Sequence, residues 1–466
     1  MSRLPGDPMS ERVFAPGRRL RDFVDRVADS SPARLAMVSF VGVIAVFAVL
    51  LCLPIAHRDP GDISIAKSVF TAVSAVCVTG LTPVVTEEYW SDFGVAVITA
   101  GIQVGGLGIL TLASVLGMVV SRKLGVRQRL IAAQATNTFK LGQVGTLLRV
   151  VVGTIVVAEA VVFALLLPRF LLRGEELGDA VWHSAFYAIS AFNNAGFTIH
   201  SGGMEHFAND PLILIVIMLA VFVGSLGFPV ILMVTFLWRR PRRWDLHTKL
   251  TLATSGILVA VGFAFLLLFE AGNPRTLGAH GFWDTNVEAL FMSVMTRSGG
   301  FSTVSVPDMS ASSHLLVDVL IFIGGGSSST AGGIKVTTLA ILVLAAWSEA
   351  RGLRDVSAFQ RRIDPSVIKV AISVTLAGFT IVIVGTLIML QVTHLKLDLV
   401  LFEVISAFGT CGLSSGVTEA SPPAGLYVLS VLMFLGRLGT ITLAAAVSQR
   451  DTQRLYRFPE ERPIIG

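Results

Sequence analysis

Long apolar runs separated by short polar ones set the pattern of this sequence. A bilayer-crossing helix needs about 20 mostly apolar residues. Eight runs meet that length, at roughly 35–56, 91–120, 144–168, 210–238, 246–271, 313–347, 366–393 and 424–448. A second kind of run lies inside every other connection: KSVFTAVSAV (67–76), DAVWHSAFYAISAF (179–192), WDTNVEALFMSVMT (283–296) and LDLVLFEVISAF (397–408). At about 1.5 Å per residue, 14 residues reach only about 21 Å of a hydrocarbon core about 30 Å thick. These four runs are therefore expected as re-entrant helices. Backbone that enters a bilayer without crossing it must be buried in protein or line a watery cavity.

Directly after each short run the same pattern recurs: VTGLT (78–82), NAGFT (194–198), SGGFS (298–302) and TCGLS (410–414). Each is x-Gly-(Leu/Phe)-(Ser/Thr), with glycines at Gly80, Gly196, Gly300 and Gly412. A glycine that only ends a helix as a C-cap does not require the same hydroxyl two residues later, so four copies in register read as one repeated unit of span, short helix, glycine loop and span. Helix C-termini aimed at a common centre carry partial negative charge, and glycine loops present carbonyls that replace the hydration shell of a cation. None of the four loops contains Asp or Glu, which fits carbonyl coordination better than a carboxylate ring. A serine lies six residues before the glycine in three copies (Ser74, Ser190, Ser406), but Ser293 lies seven before Gly300; the third loop is expected to differ in fine geometry.

The sixth apolar run is interrupted by GGGSSSTAGGIK, residues 324–335. Five glycines inside a helix would cost about 5 kcal/mol relative to alanine, at roughly 1 kcal/mol each, so this stretch is expected to unwind into a loop. Hydroxyls of Ser327, Ser328, Ser329 and Thr330 can satisfy the freed backbone groups. The stretch is not a phosphate-binding loop, because Ile334 separates Gly333 from Lys335 and the G-x4-G-K-(S/T) spacing fails.

Composition and charge complete the frame. Of 466 residues, 53% are hydrophobic and 14% charged, against roughly 25% charged in soluble domains; the chain reads as an integral membrane protein. Lysine and arginine number 26 in the arm, the connections and the tail on one side, and 7 on the other. The positive-inside rule then puts both termini in the cytoplasm and accounts for the net charge of +5 without nucleic acid. The polar, arginine-rich arm before the first span is unlike a cleavable signal. Three cysteines in no metal-type spacing argue against a disulfide framework.

The four glycine motifs, the broken sixth span and FLGRLGTITL (434–443) resemble the Trk/Ktr/HKT superfamily of potassium transporters over essentially residues 35–450. Eight spans resemble its Ktr type, and within it the KtrB-type potassium-translocating subunit. The resemblance implies an all-α membrane fold: four span/pore-helix/span repeats with pseudo-fourfold symmetry around a single pore, eight transmembrane helices in all. The expected divisions are a cytoplasmic arm (1–34), repeat 1 (35–120), a linker (121–143), repeat 2 (144–238), repeat 3 (239–347) with its intramembrane loop (324–335), a linker (348–365), repeat 4 (366–449) and a cytoplasmic tail (450–466).

The same resemblance implies potassium uptake across the bacterial cytoplasmic membrane, with sodium stimulation left open, and no enzyme activity. It implies a homodimer, a KtrA-like cytoplasmic ring that holds the nucleotide, contact with lipid, and no cofactor in this chain beyond K+ as transported ion. Its filter positions fall on Val78, Thr79, Gly80, Asn194, Ala195, Gly196, Ser298, Gly299, Gly300, Thr410, Cys411 and Gly412, coordinating K+ through backbone carbonyls. In the family, glycine at all four filter positions goes with potassium and serine at the first goes with sodium-selective plant members; here the first is Gly80. A gate is implied at Gly324, Gly325, Gly326, Ser327, Ser328, Ser329, Thr330, Ala331, Gly332, Gly333 and Lys335, with Arg437 as barrier or anchor.

Alternatives stand beside several of these. Arg437 and Lys335 would be snorkelling cations if they reach the inner interface. Glu288 and Glu403 either pair with loop donors or attract cations, and Glu159 needs a partner that the sequence does not name. His183, His200 and His206 do not read as a ligand set. A sodium-selective pore and a coupled transporter with inverted repeats are the competing functions. The resemblance implies a tail near the dimer interface, with a role in assembly or in contacting the ring.

Overall fold

Polar N-caps start six of the main described helices. The structure, a computed structural model, describes residues 32–108, 144–279 and 281–449. The arm up to residue 31, the second apolar run beyond residue 108, the linker 121–143 and the tail 450–466 lie outside those residues. In chain order the main helices are α1 Pro32–Leu51, α2 Ile65–Cys77, α3 Asp92–Gly106, α4 Val144–Leu172, α5 Leu177–Phe192, α6 Pro211–Leu226 and α7 Phe228–Leu237. Then come α8 Leu246–Glu270, α9 Phe282–Met295, α10 Ala311–Phe322, α11 Val336–Ala350, α12 Pro365–Thr393, α13 Leu397–Gly409 and α14 Pro423–Gln449. Ser91, Asp245, Ser310 and Asp364 each accept a backbone N–H of the first turn, the usual way of satisfying the free donors there. Pro211 and Pro365 occupy first helical positions, where a missing N–H costs nothing.

Three described helices are long and apolar enough to cross a membrane alone: α4, α8 and α12. Their outer faces are apolar and bare, with Val157 64% and Leu268 71% exposed. Inside, Ser68, Thr71 and Ser74 of α2 and Ser406 of α13 are buried. A bare apolar exterior around an interior that holds polar groups fits lipid and not water.

The four short runs fold as α2, α5, α9 and α13, of 13 to 16 residues. α2, α5 and α13 each pack between the helix before and the helix after in the chain, and α9 packs on α8 before it. Each is also touched by the last helix of the neighbouring unit: α3 meets α5, α6 meets α9, α10 meets α13, and α14 returns to α2. The packing therefore closes on itself.

Two features depart from the sequence reading. The apolar run at 210–238, expected as one span, breaks at Gly227 (φ 95°), where α6 and α7 meet at 102°. Positive φ is cheap only for glycine, and the backbone N–H of Phe228 is satisfied across the break by Ser328 O at 3.2 Å. The linker 348–365 holds a small hairpin, Ser357–Ala358 with Arg361–Arg362, turned by Phe359 and Gln360 at positive φ as a type I′ connection requires.

Candidate functional site

The glycine loops share a backbone signature. Val78, Asn194, Ser298 and Thr410, each two residues before a loop glycine, have φ of 56°, 59°, 69° and 44°. The glycines that follow, Gly80, Gly196, Gly300 and Gly412, have φ of 93°, 67°, 75° and 101°. Left-handed Val and Thr are rare and strained, at about 1–3 kcal/mol each, so the fold enforces this conformation. Helix ends close the turns: Thr79, Ala195 and Cys411 donate to the carbonyls of Ser74, Ser190 and Ser406 at 2.8, 2.8 and 2.9 Å, bonds of the Schellman type.

The loops meet in cyclic order. A Cβ placed on Gly80 would lie 2.2 Å from Ala195 O, and one on Gly196 3.1 Å from Gly299 O. One on Gly300 would lie 2.4 Å from Cys411 O, and one on Gly412 2.3 Å from Thr79 O. Each glycine thus presses against the carbonyl that precedes the next loop's glycine, and the fourth returns to the first. Gly105, Gly224 and Gly436 on the flanking helices let the ends of α2, α5 and α13 approach, since a Cβ there would lie 2.1, 2.1 and 1.8 Å from Val76 O, Phe192 O and Phe408 O.

Serines of the short helices support the ring unequally. Ser74 and Ser406 accept the Gly80 and Gly412 N–H at 3.1 and 3.2 Å, whereas Ser190 donates to Phe197 O at 2.9 Å. Ser293, displaced by one residue, turns away to donate to Val259 O of α8 at 2.8 Å, and Ser298 Oγ reaches across to Thr410 O at 2.7 Å.

Residues 324–335 are non-helical and lie against these loops. Thr330 Oγ1 donates to Asn194 Oδ1 at 2.9 Å and lies 3.1 Å from Gly224 O. Gly332 N donates to Ser298 Oγ at 3.2 Å, and a Cβ on Gly332 would lie 2.1 Å from Thr410 Oγ1. A parallel bridge of Ile323 with Ile334 pins the base, and Gly326 N donates to Ser225 O at 2.7 Å. Gly324, Gly325 and Gly326 face backbone or Ala331 at distances no side chain tolerates, and Gly333 sits at φ 66° against Gly324 N. Ser327 Oγ meets Thr337 Oγ1, and Ser329 Oγ donates to Gly326 O.

Lys335 and Arg437 both bind this loop. Lys335 Nζ donates to Ala331 O and Gly332 O at 2.7 and 3.2 Å. Arg437, 5% exposed on α14, donates to Thr330 O and, at 3.0 Å, to Gly105 O.

The TrkH family, described as a cation transport protein, matches residues 35–454. The chain belongs to this family. It is 34% identical over 440 residues to the Ktr system potassium uptake protein D of Bacillus subtilis, covering 94% of this chain and 97% of that one. It is also 34% identical over 445 residues to the Ktr system potassium uptake protein B of Vibrio alginolyticus, covering 95% and 96%. The fold matches the crystal structure of the potassium transporter TrkH from Vibrio parahaemolyticus with a TM-score of 0.65 at 19% identity, over 89% of this chain and 85% of the other. These relatives are transporters and not enzymes.

Around the family's fold, several residues take roles that the sequence did not show. Glu159 of α4 finds its partners in Asn193 (2.8 Å) and Gln103 (3.1 Å), binding α3, α4 and α5 beside Asn194. Glu403 of α13 accepts from Ser415 N at 2.8 Å, Ser414 Oγ at 2.9 Å and both Thr418 donors, so it organises the segment after the fourth glycine and does not face a mouth. Glu288 is buried on α9. Arg297, immediately before Ser298, is 1% exposed; its guanidinium has no hydrogen-bond partner among the described residues and lies 5.5 Å over the Phe222 ring. The three histidines converge beyond the second glycine, where burial and His183 lower the His200 imidazole to about 3, leaving it neutral at physiological pH.

Proposed function

We propose that this chain takes up potassium through a channel-like path in which the four glycine loops form the selectivity filter and residues 324–335, held by Lys335 and Arg437, form the gate. The cyclic contact of Gly80, Gly196, Gly300 and Gly412 with the carbonyls of Ala195, Gly299, Cys411 and Thr79 carries this reading. It supports four quasi-equivalent units around one axis, with the negative ends of α2, α5, α9 and α13 adding to the attraction for a cation. Carbonyls in such a ring replace the hydration shell of an ion. The absence of carboxylates from the four loops, and the names of two relatives as potassium uptake proteins, support potassium as that ion.

The gate reading is supported by direct bonds from Thr330 and Gly332 to the second and third filter loops. Opening then requires these bonds to break together. A cytoplasmic nucleotide-binding ring of the KtrA kind, acting on a homodimer of this chain, is the partner that would supply the work, consistent with relatives named as parts of Ktr systems; sodium stimulation belongs to the same reading.

The test is growth and K+ uptake in bacteria stripped of their own potassium transporters, with this chain or its Gly80→Ser variant, with and without a KtrA-type partner. Rescue at low potassium, with the variant admitting sodium, is expected. Uptake indifferent to Gly80 in a correctly inserted protein would remove the filter from the path.

A further inference from the structure

We propose that Glu175, His183 and His200 form a binding site for a borderline divalent cation of the Zn2+ class at the rim of the second glycine loop. Their donor atoms all lie within 4.8 Å of one another. The three come from separate stretches: the turn between α4 and α5, the body of α5, and the segment four residues beyond Gly196. No helical periodicity brings them together; only the folded chain does.

The chemistry of the set is selective. Two imidazoles and one carboxylate, with a fourth position open to water, match the His2Glu sets that hold zinc. Imidazole nitrogen disfavours Ca2+ and Mg2+, which take oxygen ligands, and gives nothing to K+. Around a tetrahedral ion with bonds of about 2.0–2.2 Å, donors stand roughly 3.4 Å apart. His183 Nδ1 and Glu175 Oε2 are already 2.7 Å apart and no donor pair exceeds 4.8 Å, so side-chain shifts of about an ångström close the set.

The surroundings are those of a built site. Tyr187 OH lies 2.7 Å from His200 Nδ1 and sets the orientation of that ring, as outer partners do for metal-bound histidines. The His183 and His200 rings meet edge to face at 4.5 Å. Phe170 stacks along His200 and Phe207 meets it edge-on at 5.0 Å, an apolar wall that strengthens charge interactions in front of it. Glu175 and His183 are about a fifth exposed, enough for an ion to enter. Other polar groups limit the set. His206 stacks on His200 with its Nε2 3.5 Å from Arg173, and it is not among the three residues whose donor atoms converge. Arg173 is itself bonded to Asp210 at 3.3 Å, which offsets its charge toward an entering cation. An ion here would tie the segment after Gly196 to the helix before it.

The site is independent of the transport reading, and its test needs no flux. Tag-free full-length protein, stripped with EDTA in detergent, is titrated with Zn2+ by calorimetry and with Co2+ by visible absorption. We expect one ion per chain, bound more tightly than about 1 mM, with the intense d–d bands of tetrahedral Co2+. His183→Ala and His200→Ala each weaken binding by tenfold or more, while His206→Ala changes it little. Glu175→Gln keeps a hydrogen-bonding group beside His183 and removes the charge; it is the variant that answers if a histidine change prevents folding, and it also loses the Co2+ bands. Absence of binding below about 1 mM, or binding unchanged in Glu175→Gln and the folded histidine variants, overturns the proposal.

Discussion

Gly412 shows how little room the ring leaves at a single residue. A methyl group there would sit 2.3 Å from Thr79 O, and its φ of 101° is one that L side chains avoid. Gly412→Ala must therefore move one loop against its neighbour, and potassium uptake should fall at least tenfold while far-ultraviolet circular dichroism stays native; uptake near the wild-type level would mean that this contact does not shape the path. Arg437 works in the opposite sense. Its bonds to Thr330 O and Gly105 O are charge-assisted, at about 1.5–3 kcal/mol each, and about 1.4 kcal/mol is tenfold in a population. Arg437→Ala should raise Rb+ flux into proteoliposomes lacking any partner by about tenfold or more. A folded variant with unchanged or lower basal flux would show that the loop is not what limits it. Glu403 is structural: Glu403→Ala strands the Ser414, Ser415 and Thr418 donors, each at about 1–3 kcal/mol, and should lower the melting temperature markedly, whereas Glu403→Gln recovers part of the loss.

Elements were legible in the sequence where length or composition forced a choice. The run at 397–408 folds as Leu397–Gly409 and that at 179–192 as Leu177–Phe192, because an apolar stretch too short to cross has one place to go. The glycine-rich interruption unwinds as its helix propensity requires. The break at Gly227 was not legible: Gly-Phe-Pro sits in unbroken hydropathy, and what ends α6 is the docking of Ser327 and Ser328 from 100 residues away. The partners of Glu159 were hidden for the same reason, since Gln103 and Asn193 lie on other helices. The histidine contacts were hidden likewise: His183 lies on α5 and His200 and His206 beyond the second glycine loop, and their rings meet only in the folded chain. Thr330→Val, which removes the link from the loop to Asn194 while keeping the branched shape, should raise basal flux by a smaller factor than Arg437→Ala; no change would place the holding contacts elsewhere in the loop.

For the whole molecule, the cytoplasmic termini proposed from arginine and lysine placement can be checked at exposed positions on either side. Cys77 and Cys411 are buried and Cys52 is half-buried, so a Cys52→Ser background is quiet. In intact cells an impermeant maleimide should label Glu176→Cys and spare Arg354→Cys; the reverse pattern would invert the topology. With α3 on α5, α6 on α9, α10 on α13 and α14 on α2, the four loops touch in cyclic order, and the proposed function requires a cation at their centre. Crystals of the protein grown with Rb+ or Tl+ in place of K+ test it most directly by anomalous scattering. The account predicts an anomalous peak within the ring, coordinated by the carbonyl oxygens of Thr79, Ala195, Gly299 and Cys411; a fully formed ring with no such peak, or a peak outside it, would contradict it.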